Sequence, residues 1–254
     1  MYDYFLDGAH NFAVDRQMAE QILAMFPETR LIAQANRAFL RRAVEYLVDA
    51  GVRQFLDIGS GIPTVGHVHE IAQAKAPESR VVFVDIDPVA VDHSRLILAG
   101  NDRTAVVEED VRRPERILEA PELRSLLDLE QPVAVLVVAL LHFISNADDP
   151  VGILSRLTGP LESGSYLGIS HFTMDGQDSS DGLETDRREG LDLYRRSGME
   201  VFPRSRAQVE VLFAGFDLVE PGVAWLPQWH PDAVEDVTDG PEAWVIYAGL
   251  GRKP

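Results

Sequence analysis

The chain has 254 residues, 46% hydrophobic and 25% charged, with a formal net charge of −18. That length and balance suit one globular domain with a full core, and 23 basic against 41 acidic residues argue against nucleic acid or an anionic membrane surface as partner. Cysteine is absent, which excludes disulfides, thiolate metal sites and cysteine nucleophiles.

In chain order, Met18, Ile22, Leu23 and Phe26 recur at helical spacing behind a candidate Asp15 N-cap, and Pro27 ends the run. A second helix is predicted over 31–50, where Leu31, Ala35, Ala38, Phe39, Ala43, Tyr46 and Leu47 form an apolar stripe and Gly51 follows as a C-terminal glycine. The pattern then changes to alternating strands, at about 54–58, 80–85, 104–108, 133–140 and 165–171, and helices, at about 63–76, 88–99, 121–128 and 149–159. Such alternation predicts a parallel sheet with helices on both faces. An acidic loop after His171, helices over 184–196 and from Ser205, and strands at 216–224 and 243–249 complete the chain. Ser205 and Gln208 have the spacing of a capping box. The expected organisation is a single domain, 1–254, with a helical extension (1–51), a cofactor-binding core (52–174) and a C-terminal part with substrate-side loop and helices (175–254). The N-terminus lacks a basic segment followed by an apolar one, and no run of about 18 apolar residues occurs, so a soluble cytoplasmic protein is expected.

The stretch from Phe55 to Thr64, Phe-Leu-Asp-Ile-Gly-Ser-Gly-Ile-Pro-Thr, reads as a buried strand, a glycine turn and a helix with Pro63 in its first turn. Asp57 is its odd residue, because a carboxylate in a buried strand needs backbone amides or a ligand to satisfy it. Ligands of open α/β sheets bind beyond the carboxyl ends of the strands. There the second strand offers Asp85 and Asp87, suited to ribose hydroxyls, and the third offers Asp110, suited to an adenine amino group. A dinucleotide turn calls for a third small residue where this chain has Thr64, and pyrophosphate would meet repulsion from Asp57. S-adenosylmethionine, with an ammonium, a sulfonium and no phosphate, fits an acidic lining better than NAD.

The sequence resembles class I S-adenosylmethionine-dependent methyltransferases, and more closely an actinobacterial methyltransferase-like family long catalogued as a domain of unknown function. The likeness covers nearly the whole chain. It is carried by Tyr2-Asp3-Tyr4, Asn11 to Arg16, Asn36 to Leu40, Phe55 to Thr64, Val84 to Pro88, Leu141 to Ile144 and Gly249 to Lys253. One departure is Ala9-His10, where the family often has Lys-Asp. The resemblance implies a Rossmann-like, seven-stranded, mostly parallel α/β sheet with one antiparallel strand late in the chain and an N-terminal helical extension closing the site. It implies S-adenosyl-L-methionine as cofactor, with Gly59, Ser60 and Gly61 at the methionine part, Asp85 at the ribose and Asp110 at the adenine. Asp57, Val111, Ala139 and Leu140 would stand beside it.

Two readings stand for several of these residues. Asp87 is a second ribose contact or only a helix cap, Asp110 an adenine acceptor or a solvated loop carboxylate, and Arg37 a methionine-carboxylate partner or an exposed helix arginine. His142 and His171, both at strand ends, are candidate catalytic bases or hydrogen-bonded core residues. Tyr4, Asn11 and Phe143 are candidates for the acceptor side, whereas Trp225 and Trp229 suit core packing. His67 and His69, two apart on a helix, diverge and make no metal pair. The expected function is methyl transfer to a small-molecule acceptor. The alternatives are a protein that binds or senses the cofactor without catalysis and, less favoured, an NAD-dependent oxidoreductase.

Overall fold

The computed structural model describes residues 2–6, 8, 11–63, 66–175, 200–233 and 245–254. Five parallel strands, β1 (Gln54–Ile58), β2 (Arg80–Asp85), β3 (Thr104–Glu108), β4 (Ala134–Val138) and β5 (Tyr166–Phe172), lie in the order β3-β2-β1-β4-β5. The last strand of the chain, β8 (Ile246–Arg252), runs antiparallel beside β5. Its other edge carries two short strands, β6 (Asp217–Leu218) and β7 (Ala224–Trp225). Among the described residues the sheet therefore has eight strands in seven lanes. The expected single strand over 216–224 is broken because Gly222, at φ +80°, turns the chain and donates its N–H to Val219 O at 2.8 Å.

The sheet order reverses between β1 and β4, which fixes where a ligand crevice opens. Period-two alternation divides the core. Leu56, Ile58, Val135 and Val137 face α6 (Pro114–Glu119), α7 (Pro121–Leu126), α8 (Pro150–Thr158) and α9 (Arg206–Val211). Phe55, Phe83 and Leu136 face α3 (Thr29–Asp49), α4 (Val68–Lys75) and α5 (Pro88–Ile97). Asp57 shares the second face, since it stands two residues beyond Phe55 and opposite Phe83 and Leu136. The N-terminal extension comprises α1 (Tyr2–Phe5), which the periodicity does not predict, α2 (Ala13–Met25) and α3.

Local chemistry explains the remaining differences. The helix expected from Pro63 begins only at Val68, because Gly61 and Gly66 adopt φ of +62° and +78° and hold the chain out of a helix until His67. Pro63 is thus a loop residue. The helix expected over 121–128 is α7, ending at Leu126, and it is preceded by α6, which the periodicity does not predict; the two are separate because Pro121 disfavours helical geometry at Ala120, whose ψ is 129°. Strand β4 stops at Val138 rather than 140, where Ala139 takes a left-handed φ of +55°. The capping box at Ser205 and Gln208 forms. The helix expected over 184–196, most of the acidic loop, Thr64 and the Ala9-His10 pair lie outside the described residues.

Candidate cofactor and acceptor site

The glycine turn after β1 is shaped by close approach and by open space. At Gly59, with φ +71°, a Cβ would come within 2.8 Å of the Leu140 side chain, so the turn after β1 and the end of β4 meet only if residue 59 has no side chain. At Gly61 nothing lies within 4 Å of where a Cβ would be, leaving backbone open to a ligand. The turn is anchored from β2, as Gly61 N–H donates to Asp85 Oδ2 at 2.7 Å and Asp87 N–H donates to Asp85 Oδ1 at 2.9 Å. Each Asp85 oxygen keeps acceptor capacity for a hydroxyl. Asp87 caps α5 by accepting the Val89 N–H at 2.9 Å. Ser60 donates to the neighbouring Gly61 O at 3.3 Å.

Beneath the turn, Asp57 is 5% exposed, and burial pushes its pKa up to about 7. The Arg37 charge works against that rise and the Asp85 charge adds to it. Arg37 Nη1 donates to Gly66 O at 3.5 Å, while its Nε is buried without a partner among the described residues. At the end of β3, Asp110 is already engaged. Both oxygens accept from Arg112, at 2.6 to 3.0 Å, and Oδ1 also accepts the Arg112 N–H at 2.9 Å. Burial raises the Asp110 pKa, but the Arg112 hydrogen bonds and charge prevail and hold it below the usual carboxylate range. The Val111 N–H beside it has no partner among the described residues.

Beyond β4 and β5 the polar groups are closed on one another. Ala139 N–H donates to Ser170 Oγ at 2.9 Å, Ser170 donates to Asn36 Oδ1 at 2.6 Å, and Asn36 Nδ2 donates to Tyr2 OH at 2.8 Å. This chain of bonds ties α1 and α3 to the strand end where the left-handed Ala139 sits. His171 is fully buried, with both ring nitrogens used. Phe172 O can only accept, so Nδ1 donates to it at 2.7 Å, and Nε2 accepts from Arg204 at 2.7 Å. Arg204, 4% exposed, also donates to Leu141 O, Ile144 O and Asn146 Oδ1, at 2.8 to 2.9 Å. Burial, reinforced by Arg204, lowers the His171 pKa to about 4. His142 stands edge-on to His171, with ring centroids 5.7 Å apart, and its Nδ1 accepts the Phe172 N–H at 3.5 Å. Burial first, then His171 and Arg204, hold His142 well below its ordinary range. Phe143 packs on the His142 ring at 4.4 Å.

The structure thus gathers Asp57, Gly59, Ser60, Gly61, Asp85, Asp87, Leu140 and Arg37 around one turn, and Ala139, His142, Phe143 and His171 beyond β4 and β5. Tyr4 and Asn11 bond within the N-terminal extension: Tyr4 to Glu20 at 3.3 Å, Asn11 to Asp3 at 2.9 Å and Gly8 at 2.7 Å. Trp229 is fully buried against Phe39. Four residues that carry the arrangement were not singled out as site residues: Asn36, Ser170, Arg204 and His67. Only Asn36 leaves a sequence signal, as an amide within the apolar stripe of a helix and inside the Asn36 to Leu40 string.

Sheet order, glycine turn and acidic strand ends together define an S-adenosylmethionine-dependent methyltransferase fold. Human N-acetylserotonin methyltransferase, solved with S-adenosylmethionine, shares it at 16% identity and a TM-score of 0.54, over 98% of this chain and 62% of that one. A family model described as S-adenosyl methyltransferase matches residues 1–254, and the chain belongs to that family. A DUF574-family protein from Streptomyces avermitilis is 42% identical, with a TM-score of 0.92 and coverage of 100% of this chain and 95% of that one. A methyltransferase candidate from Thermobifida fusca is 36% identical, with a TM-score of 0.89 and coverage of 99% and 92%. No curated protein matches the sequence. The cofactor of the family is S-adenosyl-L-methionine, and the residues present fit it: Asp85 and Asp57 offer acceptors suited to hydroxyls and an ammonium, Arg37 Nε, without a partner among the described residues, suits a carboxylate, and Gly61 leaves the turn open. Among the described residues, no helix is long and apolar enough to cross a membrane.

Proposed function

We propose that the protein transfers the methyl group of S-adenosylmethionine to a small-molecule acceptor presented beyond β4 and β5. The observation that carries the cofactor half is Asp85, whose two oxygens are each oriented by one backbone N–H, from Gly61 and from Asp87. Such a carboxylate is preorganised to accept two ribose hydroxyls. Asp57 and Arg37 would hold the ammonium and the carboxylate of the methionine end. Val111 N–H and Asp110 would read the adenine edge, and the amino group would compete with Arg112 for the Asp110 oxygens. The bound cofactor supplies an electrophilic sulfonium methyl, and the chain supplies position and a dry boundary.

On the acceptor side, His171 acts as a positioning residue, since Arg204 and Phe172 occupy its nitrogens. His142 and Phe143 would line the acceptor, with neutral His142 as the candidate to take a proton. A net charge of −18 favours a small neutral or cationic acceptor over nucleic acid. A cofactor-sensing role without catalysis is the second reading, favoured by how far burial lowers the proton affinity of His142.

Calorimetry with S-adenosylmethionine and S-adenosylhomocysteine tests the cofactor half. Asp85→Ala should weaken both by about 1.5–3 kcal/mol, the worth of charge-assisted hydrogen bonds. Unchanged affinity would remove Asp85 from the site. Incubation of metabolite pools with methyl-labelled cofactor tests the acceptor half, and persistent absence of labelled product would favour the sensor.

A further inference from the structure

His67 is 2% exposed, and neither of its ring nitrogens has a hydrogen-bond partner among the described residues. The Ile62 backbone lies near enough to favour the protonated ring slightly, yet no hydrogen bond of normal length and angle forms. An unmet polar group in a dry pocket costs about 1–3 kcal/mol unless something supplies its partner. His67 is not alone in this state, because Arg37 Nε is orphaned in the same way.

Three observations place the two groups together. Arg37 lies over Gly66, the residue before His67, with Cδ 3.9 Å from where a Gly66 Cβ would be and Nη1 3.5 Å from Gly66 O. The His67 ring stands edge-on to Phe83 at 6.3 Å, and Phe83 is the register partner of Asp57 on the same face of the sheet. The Arg37 charge acts on both His67 and Asp57. Arg37 of α3 thus stands beside His67 at the start of α4 and within charge range of Asp57 of β1, in the space over the Phe83 face of the sheet.

The chemistry of that space is specific. Burial, with Arg37 next, keeps the imidazole neutral, so it offers one N–H and one lone pair. Arg37 offers a second donor, and Asp57 offers an acceptor. Two donors and a carboxylate acceptor match an α-amino carboxylate, with its anionic and cationic ends side by side. A nucleoside alone would leave all three unmet.

We propose that His67 is a specificity-determining residue whose N–H donates to the carboxylate at the amino-acid end of S-adenosylmethionine, beside Arg37, so that the site rejects adenosine compounds lacking that end. This rests on the cofactor reading above. His69, two residues further along α4, packs on the same Phe83 ring at 5.6 Å and has one buried nitrogen, Nδ1, without a partner among the described residues, where His67 has both.

The test compares S-adenosylhomocysteine with 5′-methylthioadenosine, which keeps the adenosine and thioether but lacks the amino acid. His67→Phe should weaken S-adenosylhomocysteine about tenfold, the worth of one hydrogen bond to a charged group, and leave methylthioadenosine within about twofold. His67→Gln, which restores a neutral donor and acceptor, should recover most of the loss. Equal loss for both compounds, or no loss for S-adenosylhomocysteine, would overturn the proposal. Should His67→Phe not fold, the wild-type protein decides through its histidine nitrogen resonances. The His67 signal should shift with S-adenosylhomocysteine and not with methylthioadenosine, and an equal response to both, or none, overturns the assignment. If wild-type protein binds neither compound, the cofactor reading itself fails, and that result is distinct from a loss of discrimination.

Discussion

The two halves of the crevice treat their polar groups in opposite ways. Around the glycine turn, Arg37 Nε and both His67 ring nitrogens lack partners among the described residues, and Asp57 is buried at the cost of a raised pKa. Beyond β4 and β5, the polar groups close on one another, Arg204 with His171, Leu141 O, Ile144 O and Asn146, and Ser170 with Ala139 and Asn36. Unmet groups store free energy that a ligand can release, whereas satisfied networks rigidify what they join. The half proposed for the cofactor thus has groups ready to bind, and the half proposed for the acceptor is a fixed frame that holds the His142 turn.

The largest expected effect breaks the closed half. Arg204→Met removes a buried cation with four acceptors and strands them, so the protein should lose roughly 3–5 kcal/mol in urea unfolding. A loss below about 1 kcal/mol would mean that those carbonyls reach water. Asp57 should behave in the opposite sense. Its folded pKa of about 7 lies above the ordinary 3.8, so stability is greatest below about pH 4, where both states are protonated, and declines as the pH rises towards 7. Asp57→Asn should therefore stabilise the ligand-free protein by up to about 4 kcal/mol at pH 8, and by much less at pH 5, while weakening S-adenosylmethionine. A gain independent of pH would contradict the desolvation argument.

His171 sharpens the contrast from the acid side. Its folded pKa of about 4 lies below the ordinary 6.5, so stability is fully present above about pH 6.5 and falls as the pH drops towards 4. His171→Gln should flatten that slope, by about 2 kcal/mol between unfolding at pH 5 and at pH 7. An unchanged slope would place the acid sensitivity elsewhere. The smallest effect concerns Ser170→Ala, which should cost about 1–2 kcal/mol by leaving Asn36 Oδ1 without its donor, while Ala139 N–H keeps only the longer bond to Ser170 O at 3.3 Å. Cofactor affinity should change less than twofold, because Ser170 touches the acceptor side. A larger change would show that the halves are coupled through Asn36.

Much of the frame was legible in the sequence because it follows local rules. The five parallel strands come from apolar runs, and the Ser205 capping box from spacing alone. Errors fell where backbone geometry overrode pattern. The helix after the glycine turn starts late because positive-φ glycines hold it off, and the 216–224 strand breaks at a turn. At the candidate site, the turn of Gly59 and Gly61, the burial of Asp57 and the place of Asp85 at the end of β2 were legible, because glycines after an apolar run mark a turn and a carboxylate inside such a run needs a reason. Arg204 could not be, as an arginine between Arg196 and Arg206 looks like any surface cation.

By itself the sequence determined an acidic α/β protein without cysteine, a glycine turn after the first strand and carboxylates at three strand ends. These depend on residue type and short-range order, which the chain carries without folding. Only the tertiary structure decided which polar groups are paired. Arg204 and His171 are 33 residues apart, and Ser170 meets Asn36 across 134. Whether a histidine is a locked strut, as His171 is, or an unmet donor, as His67 is, follows from burial and from neighbours distant in the chain, and no local pattern encodes either.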